Sequence, residues 1–124
     1  MSKRILIVDD EPNIVISLEF LMKREGFEVE IATDGEAALR LLAERIPDLV
    51  VLDVMLPKMN GFDVCRQIRA DSRLQGLKIL MLTARGRDTE IAKGLGLGAD
   101  VYVTKPFSTK ELVAQVKRLL GCGA

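Results

Sequence analysis

Five polar positions in this chain share one setting: each stands at or just past the end of a short apolar run. Asp9 and Asp10 follow Ile5-Leu6-Ile7-Val8, and Asp53 follows Leu49-Val50-Val51-Leu52. Thr83 follows Ile79-Leu80-Met81-Leu82, and Lys105-Pro106 comes shortly after Val101-Tyr102-Val103. If these runs are parallel strands of one sheet, all five positions lie on one rim, the edge where open α/β sheets place their chemistry. Three carboxylates gathered there repel, and at least one would keep its proton unless a cation neutralised them. Hard oxygen ligands without His or Cys point to magnesium, which usually takes one or two protein carboxylates with waters and phosphate oxygens. Lys105 adds a point charge and Thr83 a hydroxyl donor, both suited to an anionic group carried on Asp53. A carboxylate nucleophile, a divalent cation, a lysine and a hydroxyl together describe phosphoryl transfer through an aspartyl phosphate.

The elements that must hold these residues can be read from period and punctuation. The run ending at Asp53 lies between Pro47 and Pro57; it is too short for a helix and reads as a central strand buried on both faces. Pro12 suits a first helical turn, Val15, Leu18, Leu21 and Met22 fall at helical spacing, and Gly26 stops that helix. Val29-Glu30-Ile31 alternates as an edge strand would. Asp34 can cap a helix bearing Ala37, Ala38, Leu41 and Leu42 on one face. Asn60-Gly61 closes the loop after Asp53, and Phe62, Cys65 and Ile68 mark a third helix. A weak fourth helix is expected over residues 88–95. The capping box Ser108-Thr109-Lys110-Glu111 opens a last one, with Leu112, Val113, Val116, Leu119 and Leu120 as its apolar stripe. Strict alternation of continuous apolar strands with helices implies a parallel sheet covered on both faces, joined by right-handed crossovers.

At 124 residues, with 48% hydrophobic and 29% charged side chains, the chain suits a single globular domain over 1–124. The 18 basic and 18 acidic residues cancel, so no bulk field favours nucleic acid or an anionic membrane as a partner. Histidine is absent, which excludes His-based acid/base catalysis, His metal sites and a phosphohistidine on this chain. Cys65 and Cys122 form no CxxC pair and suit a reducing cytoplasm; Cys65 is expected in the core and Cys122 as a tail thiol. The opening Met-Ser-Lys-Arg runs straight into a strand, with no signal-peptide pattern and no membrane-spanning apolar run, so a cytoplasmic location is expected. Gly94-Leu95-Gly96-Leu97-Gly98-Ala99 satisfies G-x-G-x-x-A, but it follows a weak helix and precedes a strand, so the dinucleotide reading fails on context. Its glycines would leave the fourth helix short and easily frayed.

Taken in order, Ile5-Leu6-Ile7-Val8-Asp9-Asp10-Glu11, Leu52-Asp53-Val54-Met55-Leu56-Pro57-Lys58-Met59-Asn60-Gly61, Met81-Leu82-Thr83-Ala84-Arg85, Gly98-Ala99-Asp100 and Tyr102-Val103-Thr104-Lys105-Pro106-Phe107 closely resemble the receiver domain of two-component response regulators. The resemblance covers the whole chain. It implies a flavodoxin-like, three-layer (βα)5 doubly wound sheet of order 2-1-3-4-5, with its switch point between strands one and three. It also implies roles. Asp53 would accept a phosphoryl group from the phosphohistidine of a sensor histidine kinase or phosphotransfer protein. Asp10, Asp53 and the Met55 backbone carbonyl would ligate Mg2+, with Asp9 acting through a water. Lys105 would contact the phosphoryl oxygens, Thr83 would move to bond them, and Tyr102 would turn inward behind it. A cis peptide between Lys105 and Pro106 would position the lysine. Such a domain is a switch: it catalyses transfer to itself and slow self-dephosphorylation, and signals to an output domain or partner through helix four, strand five and helix five.

Rival chemistries fit less well. A dehalogenase-like phosphatase needs a second Asp where Met55 stands, and Asp9-Asp10-Glu11 would repel the phosphate of a flavin. The remaining alternative is a receiver-like interaction module that works unphosphorylated; such modules usually lack part of the constellation, which this chain carries in full. Many receivers joined to winged-helix DNA-binding domains dimerise through charges expected at positions 91, 101 and 115. Ile91, Val101 and Gln115 are uncharged while Glu111 remains, so a homodimer of another kind or another output partner is expected. Met55 and Arg85, which flank the acceptor in such domains, are poor general bases, so self-dephosphorylation should be slow.

Overall fold

The computed structural model describes residues 3–84 and 98–121. Five strands form one parallel sheet: β1 (Arg4–Val8), β2 (Glu28–Ala32), β3 (Leu49–Asp53), β4 (Lys78–Ala84) and β5 (Val101–Lys105), in the order β2-β1-β3-β4-β5. Between them lie α1 (Pro12–Arg24), α2 (Gly35–Glu44) and α3 (Gly61–Ala70), and a final helix spans Thr109–Leu120. A 3-10 turn over Ser72–Leu74 leads into β4 and has no counterpart in the sequence pattern. The expected fourth helix, the G-x-G-x-x-A run up to Leu97, Arg85, Ile91 and Cys122 lie outside the described residues. Among those residues, no helix is long and apolar enough to cross a membrane.

The continuous apolar strands divide their side chains between two cores because successive residues of a strand face opposite ways. Leu6 and Val8 of β1, Val50 and Leu52 of β3, and Ile79 and Met81 of β4 join α2 and α3 through Ala38, Leu42, Val64, Cys65 and Ile68. Ile5 and Ile7, Leu49 and Val51, and Leu80 and Leu82 join α1 and the final helix through Leu18, Met22, Leu112 and Val116. All five residues of β3 are buried, as the unbroken run between the prolines requires. At the edge, β2 carries only one buried residue, Ala32. Helix starts follow the local signals. Pro12 opens α1, Asp34 accepts the Ala37 N–H (2.7 Å), and Ser108 accepts the Glu111 N–H (3.3 Å).

Strand register decides which residues reach the rim. Val8 pairs with Leu52, Asp53 with Leu82, Thr83 with Thr104, and Ala84 with Lys105. Asp9, Asp53, Thr83 and Lys105 therefore climb one edge of the sheet with offsets of a single residue. The segment after Asp53 is closed where the Gly61 N–H reaches the Val54 carbonyl (2.9 Å) and Asn60 caps α3 by accepting the Asp63 N–H (3.0 Å). A Cβ on Gly61 would lie 2.3 Å from the Asp53 carbonyl oxygen and 2.9 Å from Val54 Cα. Only glycine lets α3 begin this close to the end of β3. Gly61→Ala is expected to destabilise the protein by about 1–3 kcal/mol, read as a fall in the urea midpoint; an unchanged midpoint would show that α3 can withdraw freely.

Candidate functional site

Lys105 and three carboxylates meet at the carboxyl end of the sheet. The Lys105 Nζ lies 3.3 Å from Asp9 Oδ2, 3.3 Å from Asp53 Oδ2 and 3.3 Å from Glu11 Oε1. Asp9 and Asp53 are buried, whereas Asp10 and Glu11 are exposed. The second oxygen of each buried acid is used locally: Asp9 Oδ1 accepts the Glu11 N–H (2.9 Å), and Asp53 Oδ1 accepts the Met55 N–H (3.3 Å). One carboxylate oxygen from each of Asp9, Asp10 and Asp53 falls within 4.8 Å of the others. A cleft of about 470 Å³ opens over them, lined by Asp10, Glu11, Asp53, Met55, Leu56, Pro57 and Lys105. The Lys105–Pro106 peptide is cis.

The electrostatics follow from this crowding. Burial, and then the neighbouring Asp9 charge, push the Asp53 carboxyl up to about 6, although Lys105 and the Met55 N–H pull the other way. Burial alone would lower the Lys105 pKa, but Asp53, Asp9 and the bonds to Glu11 and Asp9 outweigh it and raise it. A single ammonium thus leaves two buried acids and their exposed neighbour Asp10 short of positive charge. That deficit, with an all-oxygen donor set, fits a small divalent cation.

Thr83 is buried, and its Oγ1 has no hydrogen-bond partner among the described residues. A buried hydroxyl left unpaired typically costs about 1–3 kcal/mol, and one beside an acceptor site is available to an incoming oxygen. Tyr102 is half-buried against the core that contains α2 and α3. The sequence-predicted residues Asp10, Asp53, Met55 and Lys105 line the cleft, the buried Asp9 joins them through Lys105 and the carboxylate cluster, and Thr83 follows in strand register. Two features went unanticipated. Glu11 reaches back to Lys105 from the start of the first helix, which no spacing rule signals. Leu56 and Pro57 wall the cleft, a role that depends on the path of the loop after Asp53.

The family model of the response regulator receiver domain matches residues 5–117. The chain is 49% identical over 120 residues to the alkaline phosphatase synthesis transcriptional regulatory protein PhoP of Bacillus subtilis, covering 97% of this chain and 49% of that protein. It is 50% identical over 120 residues to the DNA-binding response regulator MtrA of Mycolicibacterium smegmatis, with 97% and 51% covered. It therefore spans about half the length of these two relatives. Among solved structures, a response regulator from Chloroflexus aurantiacus superposes with a TM-score of 0.94 at 37% identity, over 98% of this chain and 99% of that one. The chemotaxis response regulator CheY4 of Vibrio cholerae gives 0.91 at 31%, over 97% and 100%. The chain belongs to the response regulator receiver family, and its sheet is the flavodoxin-like one.

The raised Asp53 pKa has a consequence for stability. An acid whose folded pKa exceeds its unfolded value holds its proton more tightly when folded, so ionising it destabilises the fold. With an ordinary value of 3.8 and a folded value of about 6, this destabilisation is absent below about pH 4, develops between the two values and is complete above them. In chelator, Asp53→Asn should therefore stabilise the protein by on the order of 3 kcal/mol at pH 7.5. The gain should vanish by about pH 4, as read from urea unfolding across pH; a gain independent of pH would contradict burial and the Asp9 charge as its cause.

Proposed function

We propose that this domain takes a phosphoryl group onto Asp53 from the phosphohistidine of a sensor histidine kinase or phosphotransfer protein, and holds it as a signal. The observation that carries this reading is the placement of Lys105, whose ammonium reaches both Asp9 and Asp53, while the buried Thr83 hydroxyl, one residue past the β4 partner of Asp53, has no hydrogen-bond partner among the described residues. In the transfer, an Asp53 oxygen attacks phosphorus, the P–O bond forms and the donor's P–N bond breaks. The departing imidazole keeps the electron pair. Lys105 then faces phosphoryl oxygens in place of a bare carboxylate, and Thr83 donates its hydroxyl to one of them. Tyr102, half-buried on the neighbouring strand, turns inward behind Thr83.

Asp10, Asp53 and the Met55 carbonyl would hold Mg2+ directly, with Asp9 acting through a water. Bound there, the cation neutralises the clustered carboxylates and the charge building on the phosphoryl oxygens. The cleft admits the donor from solvent, and the exposed side chain of Met55 at its mouth is no general base, which favours a long-lived acyl phosphate.

Residues 1–124 act as one receiver domain, and no separate substrate is turned over. The surface of strand five, the final helix and the expected fourth helix would pass the change to an output domain or partner protein, and a second copy of the chain is one such partner. The names of PhoP and MtrA, a transcriptional regulatory protein and a DNA-binding response regulator, suggest an output on DNA made by another domain and not by this one. Incubation with a small phosphodonor such as phosphoramidate should label the wild-type protein only when Mg2+ is present, as an adduct sensitive to hydroxylamine. Asp53→Asn should remove the label; label that persists in that variant, or that forms equally well in chelator, refutes the reading.

A further inference from the structure

The loop that walls the cleft, residues 55–60, lies against the start of α2. A Cβ on Gly35 would sit 3.0 Å from Met59 Cβ, 3.0 Å from the Met59 carbonyl oxygen and 2.9 Å from Val64 Cγ2. Gly35 has no positive φ to explain its glycine; what it supplies is room. Asp34, the cap of α2, spends its other carboxylate oxygen on Lys58 Nζ at 3.8 Å. Lys58 has φ +68°, a left-handed conformation that a side chain adopts at a cost. The turn is tightened by the Met59 N–H, which reaches the Pro57 carbonyl (2.7 Å). Leu56 and Met59 pack on the same core as Ala37 and Leu41 of α2. At its other end the loop begins with Met55, whose N–H donates to Asp53 Oδ1.

We propose that Gly35 is a positioning residue for the acceptor site: by letting α2 close onto Met59, it sets the path of the loop and so the place of Met55 beside Asp53. The link runs through backbone. Met59 lies four residues after Met55, within a segment whose two ends are tied by the Gly61 N–H to Val54 carbonyl bond and whose middle is tightened by the turn over residues 57–59. A side chain at position 35 meets the Met59 Cβ and carbonyl and also Val64 Cγ2 of α3, so the loop, α2 or α3 must move. The core that joins α2 to α3, with Ala38, Leu42 and Val64 fully enclosed, makes the loop the part that gives. The inference rests on the functional reading above only in that Met55 is taken there as a metal ligand through its carbonyl.

The test compares Gly35→Ala with Gly76→Ala, where a Cβ meets nothing within 4 Å. In metal-free 15N-labelled protein, Gly35→Ala should shift the Met55 and Lys58 amide signals, and Gly76→Ala should leave them in place. By calorimetry, Gly35→Ala should weaken Mg2+ binding about tenfold, the size of loss typical when a residue supporting a metal ligand is altered, with Gly76→Ala unchanged. Should Gly35→Ala fail to fold, Met59→Gly removes the facing Cβ and should also displace the Met55 amide, by loosening the seat that Gly35→Ala crowds. A folded variant with an unmoved Met55 amide and unaltered Mg2+ affinity overturns the proposal. If the wild-type protein binds no Mg2+, the functional reading falls, and the amide comparison still decides whether Gly35 positions the loop.

Discussion

One ammonium facing three carboxylates is the constraint on which the rest of this site depends. Lys105 can balance one acid well, yet it is shared among Asp9, Asp53 and Glu11 at equal distances. The apolar residues that carry Asp53 to the rim also strip it of water, so the shortage of positive charge is felt at low dielectric. The fold sustains this because two closed cores, one on each face of the sheet, hold the strand ends in place. The stability of the apolar layers and the instability at the rim thus have a common source in the buried runs of β1, β3 and β4.

That arrangement explains why a phosphoryl group could act as a switch at this point. Converting Asp53 to an acyl phosphate would replace one carboxylate with a group offering more oxygens farther from the strand end. Among the described residues, Lys105 and the unpaired Thr83 hydroxyl are donors in position to answer it. A change at Thr83 would pass to β5 through the register that sets it opposite Thr104, and β5 carries Tyr102. The loop after Asp53 forms one wall of the cleft, close to the start of α2, while the Thr83 hydroxyl, unpaired among the described residues, stands near the end of β4.

Much of this was legible in the sequence because buried parallel strands announce themselves as short unbroken apolar runs, and their ends fall on one rim. Asp9, Asp53, Thr83 and Lys105 could be grouped before any contact was known, and the caps at Asp34 and Ser108 follow from side-chain chemistry alone. The strand limits drifted by a residue or two: β4 continues to Ala84 and β5 to Lys105, because pairing with a neighbour, not apolar content, decides where a strand stops. The reach of Glu11 to Lys105, the left-handed Lys58 and the close approach of Gly35 to Met59 left no periodic trace. They arise where separate elements meet, and a linear pattern carries no record of that.

Asp53 is an acid held above its ordinary pKa by burial and by Asp9. Selective 13C labelling of the aspartate carboxyl carbons, assigned with Asp53→Asn and followed by NMR across pH, tests it directly. In chelator Asp53 should titrate near pH 6, and saturating Mg2+ should move that midpoint well below its metal-free value. A midpoint near the ordinary 3.8 without metal, or one indifferent to Mg2+, would contradict the account.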